Sequence, residues 1–87
     1  MKTPRDINAS ELVKILSKIG YIKTRQTGSH IRLTKNYNNK EFHVTIPNHN
    51  PIKIGTLNSI LNSIAIIEGK TKSELILRLF VTTHPLI

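Results

Sequence analysis

Three short runs between residues 21 and 47 alternate apolar and polar side chains, and each run ends in residues that favour turns. A period of two is typical of β-strands, in which successive side chains point to opposite faces of a sheet. The breaks fall at Thr27-Gly28, at residues 35–40 and at Pro47. Because short turns join antiparallel neighbours, the pattern predicts a three-stranded antiparallel sheet with one apolar face.

Helical patterns flank this alternating region on both sides. Asn8 and Glu11 have the spacing of a capping box, and apolar residues follow them at helical intervals. Thr56 is placed to cap a second helix that ends before Gly69, and residues 71–80 form a shorter third helix. A sheet with one apolar face must bury that face, and the amphipathic helices supply the cover. We therefore expect an α+β fold in the order α-β-β-β-α, with helices on one face of the sheet and a short C-terminal helix.

The composition narrows the classes of partner. The chain has 87 residues, and its 13 Lys and Arg against 5 Asp and Glu give a net charge of +8 and a pI near 10.2. The basic residues are dispersed along the chain, so the charge belongs to a folded surface that favours polyanions such as nucleic acid. We expect a single domain over residues 1–87, with its core at about residues 8–80 and a frayed tail at 81–87.

Other classes are excluded by what the sequence lacks. There is no cysteine, so disulfides and thiolate metal sites are ruled out. No window approaches the roughly 20 apolar residues of a membrane-spanning helix, and no apolar run follows the first charged residues as it does in a signal peptide. We expect a cytoplasmic protein that has no membrane partner.

The pairing of the second and third strands predicts which side chains share a face. If Leu33 lies opposite Phe42 and Ile31 opposite Val44, the apolar side chains all lie on one side. The same alternation, continued back across the turn at Thr27-Gly28, adds Lys23 and Arg25 to the polar side. The polar face that results gathers Lys23, Arg25, His30, Arg32, His43 and Thr45.

Two motifs give a resemblance to a known family. Gly28-Ser29-His30 opens the second strand, and the run GTLNSIL at residues 55–61 begins the second helix. In this order and spacing, residues 8–80 resemble the HicA toxin family of bacterial and archaeal toxin–antitoxin systems. The resemblance implies a fold like the double-stranded RNA-binding domain, an endoribonuclease that cleaves messenger RNA, and a HicB-type antitoxin that masks the active site. It also implies that His30 is catalytic, with Gly28 and Ser29 shaping its turn.

Protein side chains can cleave RNA in this way without a metal or cofactor. RNA carries its own nucleophile, the 2′-hydroxyl, and an imidazole can accept or donate the protons that its attack requires near neutral pH. His30 is therefore the candidate acid or base, and guanidinium groups can clamp the phosphate and stabilise the extra charge of the transition state. His43, on the same predicted face, is a hypothetical second proton-transfer group. We expect contacts with RNA phosphates at Lys23, Arg25, Ser29, Arg32 and His43.

Alternative interpretations remain open at this point. A small basic α-β-β-β-α domain can also bind RNA through phosphates and 2′-hydroxyls without cutting it, or match an acidic protein. The four histidines do not predict a metal site, because zinc needs three or four converging ligands and only His30 and His43 are expected to share a face. His49 lies in a proline-flanked loop, where a solvated turn is the default. Replacing His30 distinguishes a nuclease from a binding module, because only a nuclease needs a side chain that takes up and releases a proton.

Overall fold

The computed structural model describes residues 5–80, so the predicted frayed tail at 81–87 lies outside the described residues. Three antiparallel strands form one open sheet in the order β1-β2-β3, and helices precede and follow it. The predicted α+β fold, like that of a double-stranded RNA-binding domain, is therefore confirmed. The elements are α1 (Ala9–Leu16) with a 3₁₀ turn at Ser17–Ile19, β1 (Ile22–Thr27), β2 (His30–Tyr37), β3 (Lys40–Pro47), α2 (Ile54–Glu68) and α3 (Lys72–Phe80).

Local hydrogen bonds explain where α1 and α3 begin. The Asn8 side chain accepts from the Glu11 amide at 2.8 Å, and the Glu11 carboxylate accepts from the Asn8 amide at 3.0 Å. Thr71 and Glu74 form the same reciprocal pair at the start of α3. Hydrogen bonds from the backbone and then the side chain of Thr71 hold the pKa of Glu74 below its ordinary value. The predicted capping box at Asn8 and Glu11 is confirmed, because this motif depends only on residues three apart.

The start of α2 differs from the prediction. Lys53 is the N-cap residue and makes no side-chain capping bond, so Thr56 lies inside the first turn instead of capping it. The chain is anchored earlier than the sequence pattern indicated, because Ile52 is buried and its amide donates to the Ile7 carbonyl at 2.8 Å. This tertiary anchor fixes the point at which the helix begins. No helix within residues 5–80 has the length and apolar character needed to cross a lipid bilayer.

Two-residue turns join the strands. Asn38 and Asn39 both have positive φ, at 51° and 63°, and β2 and β3 extend up to them on either side. Asparagine tolerates this left-handed conformation, which type I′ hairpin turns require at both central positions. The first turn is Gly28-Ser29 and not Thr27-Gly28, with φ of +54° at the glycine. Positive φ at the first central position alone is the pattern of a type II′ turn, which favours glycine there.

The register of β2 and β3 is shifted from the predicted one by two residues. Leu33 lies opposite Val44, and Ile31 lies opposite Ile46. The prediction was wrong because it left a six-residue break between the strands, whereas the asparagine turn occupies only two. The faces are unchanged, since side chains alternate with a period of two and a shift of two preserves their sides.

The core fills the space between the apolar sheet face and the helices. Leu61 of α2 is fully buried, whereas Ile66 of the same helix is 79% exposed. Leu75 and Leu79 of α3 are buried, and Phe80 is half-buried. The buried side chains that join strands to helices include Leu12, Leu16, Ile31, Leu33, Val44, Ile46, Leu57, Leu61 and Ile64.

Leu61→Ala is expected to lower the free energy of unfolding by about 2–5 kcal/mol, because it leaves a cavity in a site with no solvent access. Ile66→Ala is the matched control on the same helix, with an expected change within about 0.5 kcal/mol. Urea denaturation followed by circular dichroism measures both. Similar losses for the two variants would contradict the burial described here.

Candidate functional site

The sheet face opposite the helices presents three rows of side chains, each row crossing all three strands. The first row holds Thr27, His30 and Pro47, and the next holds Arg25, Arg32 and Thr45. Along a strand, neighbouring rows are about 7 Å apart, since each row is two residues from the next. The third row holds Ile22, Thr34 and His43, with the Thr24 hydroxyl beside Thr34. We call this surface the open face.

Lys23, which was expected to lie on the same face as His30, lies on the other side of the sheet. The pairing of β1 with β2 shifts between Lys23 and Arg25, so β1 carries one extra residue at this point. This β-bulge reverses the alternation, which puts Lys23 opposite Leu33 on the helix-covered side. Its ammonium donates to the Gln26 side chain at 2.7 Å. The prediction that Lys23 shares a face with His30 was therefore wrong, whereas that for Arg25 is confirmed by its position opposite Arg32.

Arg25 and Arg32 place two guanidinium groups side by side. Directly opposed residues have Cβ atoms about 5 Å apart, and like charges in this position destabilise a sheet. Within residues 5–80, neither guanidinium forms an ion pair or a side-chain hydrogen bond. Arg25 is exposed and Arg32 is half-buried. Such a pair fits a bound anion, because an oxyanion would compensate both charges and accept hydrogen bonds from both groups.

His30 stands next to this pair. It is the first residue of β2 and is exposed, and it lies on the same face as Arg32 two residues further on. The Ser29 carbonyl accepts a hydrogen bond from the Asn48 amide at 2.6 Å, which ties the turn before His30 to the loop after β3. The His30 imidazole is therefore exposed to solvent, and the backbone that carries it is fixed by this hydrogen bond and by the pairing of His30 with Thr27 and Pro47.

His43 occupies a different part of the open face. It lies opposite Thr34, four residues along β2 from His30, a separation of about 13 Å along an extended strand. The Thr34 hydroxyl contacts its Nδ1 atom at 3.0 Å, and its Nε2 atom is 3.6 Å from a carboxylate oxygen of Glu41. Because the ring is tethered at this distance, we do not assign His43 a proton transfer at a phosphate that His30 contacts.

A shallow cavity of about 200 Å³ adjoins the third row where β3 meets α2. The sequence pattern did not indicate it, because Ser59 and Ser63 lie on α2 and reach the strand only through helix packing. Their spacing of four residues is the one signal that they share a helix face. The cavity is lined by His43, Val44, Thr45, Ser59, Ile60 and Ser63.

A comparison with models of known protein families gives a match. A family model described as the HicA toxin of bacterial toxin–antitoxin systems matches residues 9–66, which is more than half of the chain. This range contains His30, both arginines of the open face and most of α2. No curated protein and no solved structure matches the chain.

Proposed function

This chain belongs to the HicA toxin family of bacterial toxin–antitoxin systems, and on that premise we propose that it is an endoribonuclease in which His30 is the catalytic residue. The observation that carries the proposal is the exposed imidazole of His30 one row from the uncompensated guanidinium groups of Arg25 and Arg32. This grouping combines a proton-transfer group with two anion ligands on an accessible surface.

The reaction follows from the chemistry of the RNA chain. The 2′-oxygen attacks the adjacent phosphorus, the bond from phosphorus to the 5′-oxygen breaks, and the products are a 2′,3′-cyclic phosphate and a 5′-hydroxyl. One proton leaves the 2′-hydroxyl and one reaches the departing 5′-oxygen. His30 carries out one of these transfers, which is worth about a hundred- to ten-thousandfold in rate.

The arginines supply the electrostatic part of the mechanism. Charge accumulates on the non-bridging phosphate oxygens as the fifth oxygen approaches phosphorus, and fixed guanidinium groups stabilise it without having to reorganise. Arg32 is half-buried between its strand neighbours, so its charge is screened less by water than that of the exposed Arg25. The turn at Gly28 and Ser29 places His30 at the start of β2, one row from these arginines.

The partners follow from the family and from the charge of the site. As a member of the family, the chain has an antitoxin partner, and we propose that this is a HicB-type protein that covers the open face and its basic residues. The proposed substrate is messenger RNA in a single-stranded form, whose backbone can bend to reach the exposed His30 and Arg25.

A single 2′-deoxy substitution tests the reaction type. Wild-type protein is incubated with an end-labelled RNA, and its main cleavage site is mapped on a gel. The same RNA is then made with a deoxyribose on the 5′ side of that site. Cleavage there is expected to disappear while cleavage at other sites continues, because the nucleophile has been removed. Cleavage at the deoxy site at the original rate would show that water or another nucleophile attacks the phosphate.

A further inference from the structure

We propose that Ile22 and His43, in the third row of the open face, form a platform on which one base of the RNA strand stacks. The inference rests on the proposed function, since it places the base next to a phosphate held at the arginine row. Both side chains lie opposite Thr34, on the two strands that flank β2. Thr34 is buried between them, so the row has a low centre with a larger side chain on either side.

Two contacts hold the imidazole ring of His43 along the sheet surface. Its Nδ1 atom is 3.0 Å from the Thr34 hydroxyl on the neighbouring strand, and its Nε2 atom is 3.6 Å from the Glu41 carboxylate, two residues earlier on β3. The nitrogens of an imidazole make their polar contacts in the plane of the ring, whichever of them carries the hydrogen. A ring that reaches both neighbours therefore lies over the sheet and turns one face to solvent. In agreement, 37% of the side chain is exposed.

Ile22 extends the platform on the other side of Thr34. Its side chain is 60% exposed on a face that is otherwise mostly polar. The two outer strands are about 10 Å apart, since each is about 4.8 Å from β2. A base that lies on the imidazole can therefore bring its edge over Thr34 and cover the isoleucine. The apolar surface that this covers is removed from water, which favours binding.

The charges around the platform favour a base over a phosphate. The Glu41 carboxylate lies beside the ring of His43, and a phosphate placed there would meet a like charge. The positive charges lie one row away, at Arg25 and Arg32, about 7 Å along the strands. Because one ribose separates a base from its phosphate, a nucleotide can put its phosphate on the arginines and its base on the platform. Other RNA-binding folds also stack the bases of single-stranded RNA on rings that project from an open sheet.

Removal of the bases from an RNA probe separates this contact from the phosphate contacts. The probes are a labelled uridine decamer and an abasic decamer, in which hydrogen replaces every base and the charge is the same. Fluorescence anisotropy gives their dissociation constants with the His30→Ala protein, which should leave the probes uncut. We expect the uridine decamer to bind about fivefold tighter or more, the factor typical of one base stacked on an aromatic side chain. Equal affinities for the two probes would overturn the proposal.

Substitutions connect this preference to the platform. In His43→Ala the advantage of the uridine decamer should fall to near one, whereas His43→Phe should keep it, because phenylalanine retains a flat ring without the nitrogens. Ile22→Ala should reduce the advantage in part. Ile66→Ala is the matched control, since Ile66 is an exposed isoleucine of α2, on the other side of the sheet, and should leave the advantage unchanged.

Three results would contradict the platform. An advantage that survives in His43→Ala would place the bases elsewhere on the protein. An advantage lost equally in His43→Phe and His43→Ala would show that the nitrogens, and not the ring face, make the contact. Weaker binding of the abasic decamer by His43→Ala would show that this side chain contacts a phosphate.

The outcome is separable from that of the nuclease proposal. If the wild-type protein cleaves no RNA but the advantage of the uridine decamer depends on the ring at position 43, the platform stands and the nuclease does not. If the wild-type protein cleaves RNA but the two decamers bind equally, the platform alone is overturned.

Discussion

His30→Ala is expected to reduce the rate of RNA cleavage by about a hundred- to ten-thousandfold, because it removes the proton-transfer group of the site. The fold should persist, since His30 is exposed, and surface substitutions of this kind change the free energy of unfolding by about 0.5 kcal/mol or less. RNA affinity should change little, because the arginines that contact the phosphates remain. Single-turnover cleavage of a labelled RNA and anisotropy binding measure the two quantities separately.

His49→Ala is the matched control for that prediction. It also removes one imidazole from an exposed position near the end of the sheet, where the His49 carbonyl accepts a hydrogen bond from the Ala9 amide through its backbone alone. Cleavage should proceed near the wild-type rate. A His30→Ala protein that cleaves as fast as His49→Ala would refute the catalytic role and favour a module that only binds RNA.

Arg32→Ala is expected to lower the cleavage rate by about 10²–10³, the range seen when one preorganised donor to a transition-state charge is removed. Arg25→Ala should have a smaller effect because Arg25 is more exposed than its half-buried neighbour. The double variant should also bind RNA more weakly, with the slope of log affinity against log salt reduced by roughly one for each arginine.

Arg78→Ala provides the control for the arginine variants. Arg78 is an exposed residue of α3, an element that packs against the other helices and not on the open face. Arg78→Ala removes the same charge from the chain as Arg32→Ala does, so it controls for the general effect of net charge. Cleavage that falls equally in Arg78→Ala and Arg32→Ala would show that the open face holds no specific phosphate site.

The features of the fold that depend on nearby residues could be predicted from the sequence. The capping box at Asn8 and Glu11 acts over three residues, and the division of β2 and β3 into an apolar and a polar face needs only a period of two. The register was missed because it depends on how many residues the turn takes. Asn38 and Asn39 fill a tight turn, whereas the composition of residues 35–40 also fits a longer one.

The part of the candidate site that depends on local alternation could also be predicted from the sequence. Arg25, His30, Arg32 and His43 do share the open face, because their strands alternate regularly where these residues lie. The bulge after Lys23 has no signal in the alternating run, and it moved that lysine to the other side. The cavity that includes Ser63 forms only where α2 packs beside β3, and such a contact between distant segments cannot be read from local pattern.

Cleavage of a long single-stranded RNA in excess EDTA, with chemical identification of the product ends, shows whether the protein is a nuclease that needs no metal and uses the 2′-hydroxyl as nucleophile. We expect the wild-type protein to cut the RNA under these conditions and to leave 2′,3′-cyclic phosphate and 5′-hydroxyl ends. RNA that stays intact while bound to the protein, or products that carry 5′-phosphate and 3′-hydroxyl ends, would contradict a nuclease that uses the 2′-hydroxyl and His30.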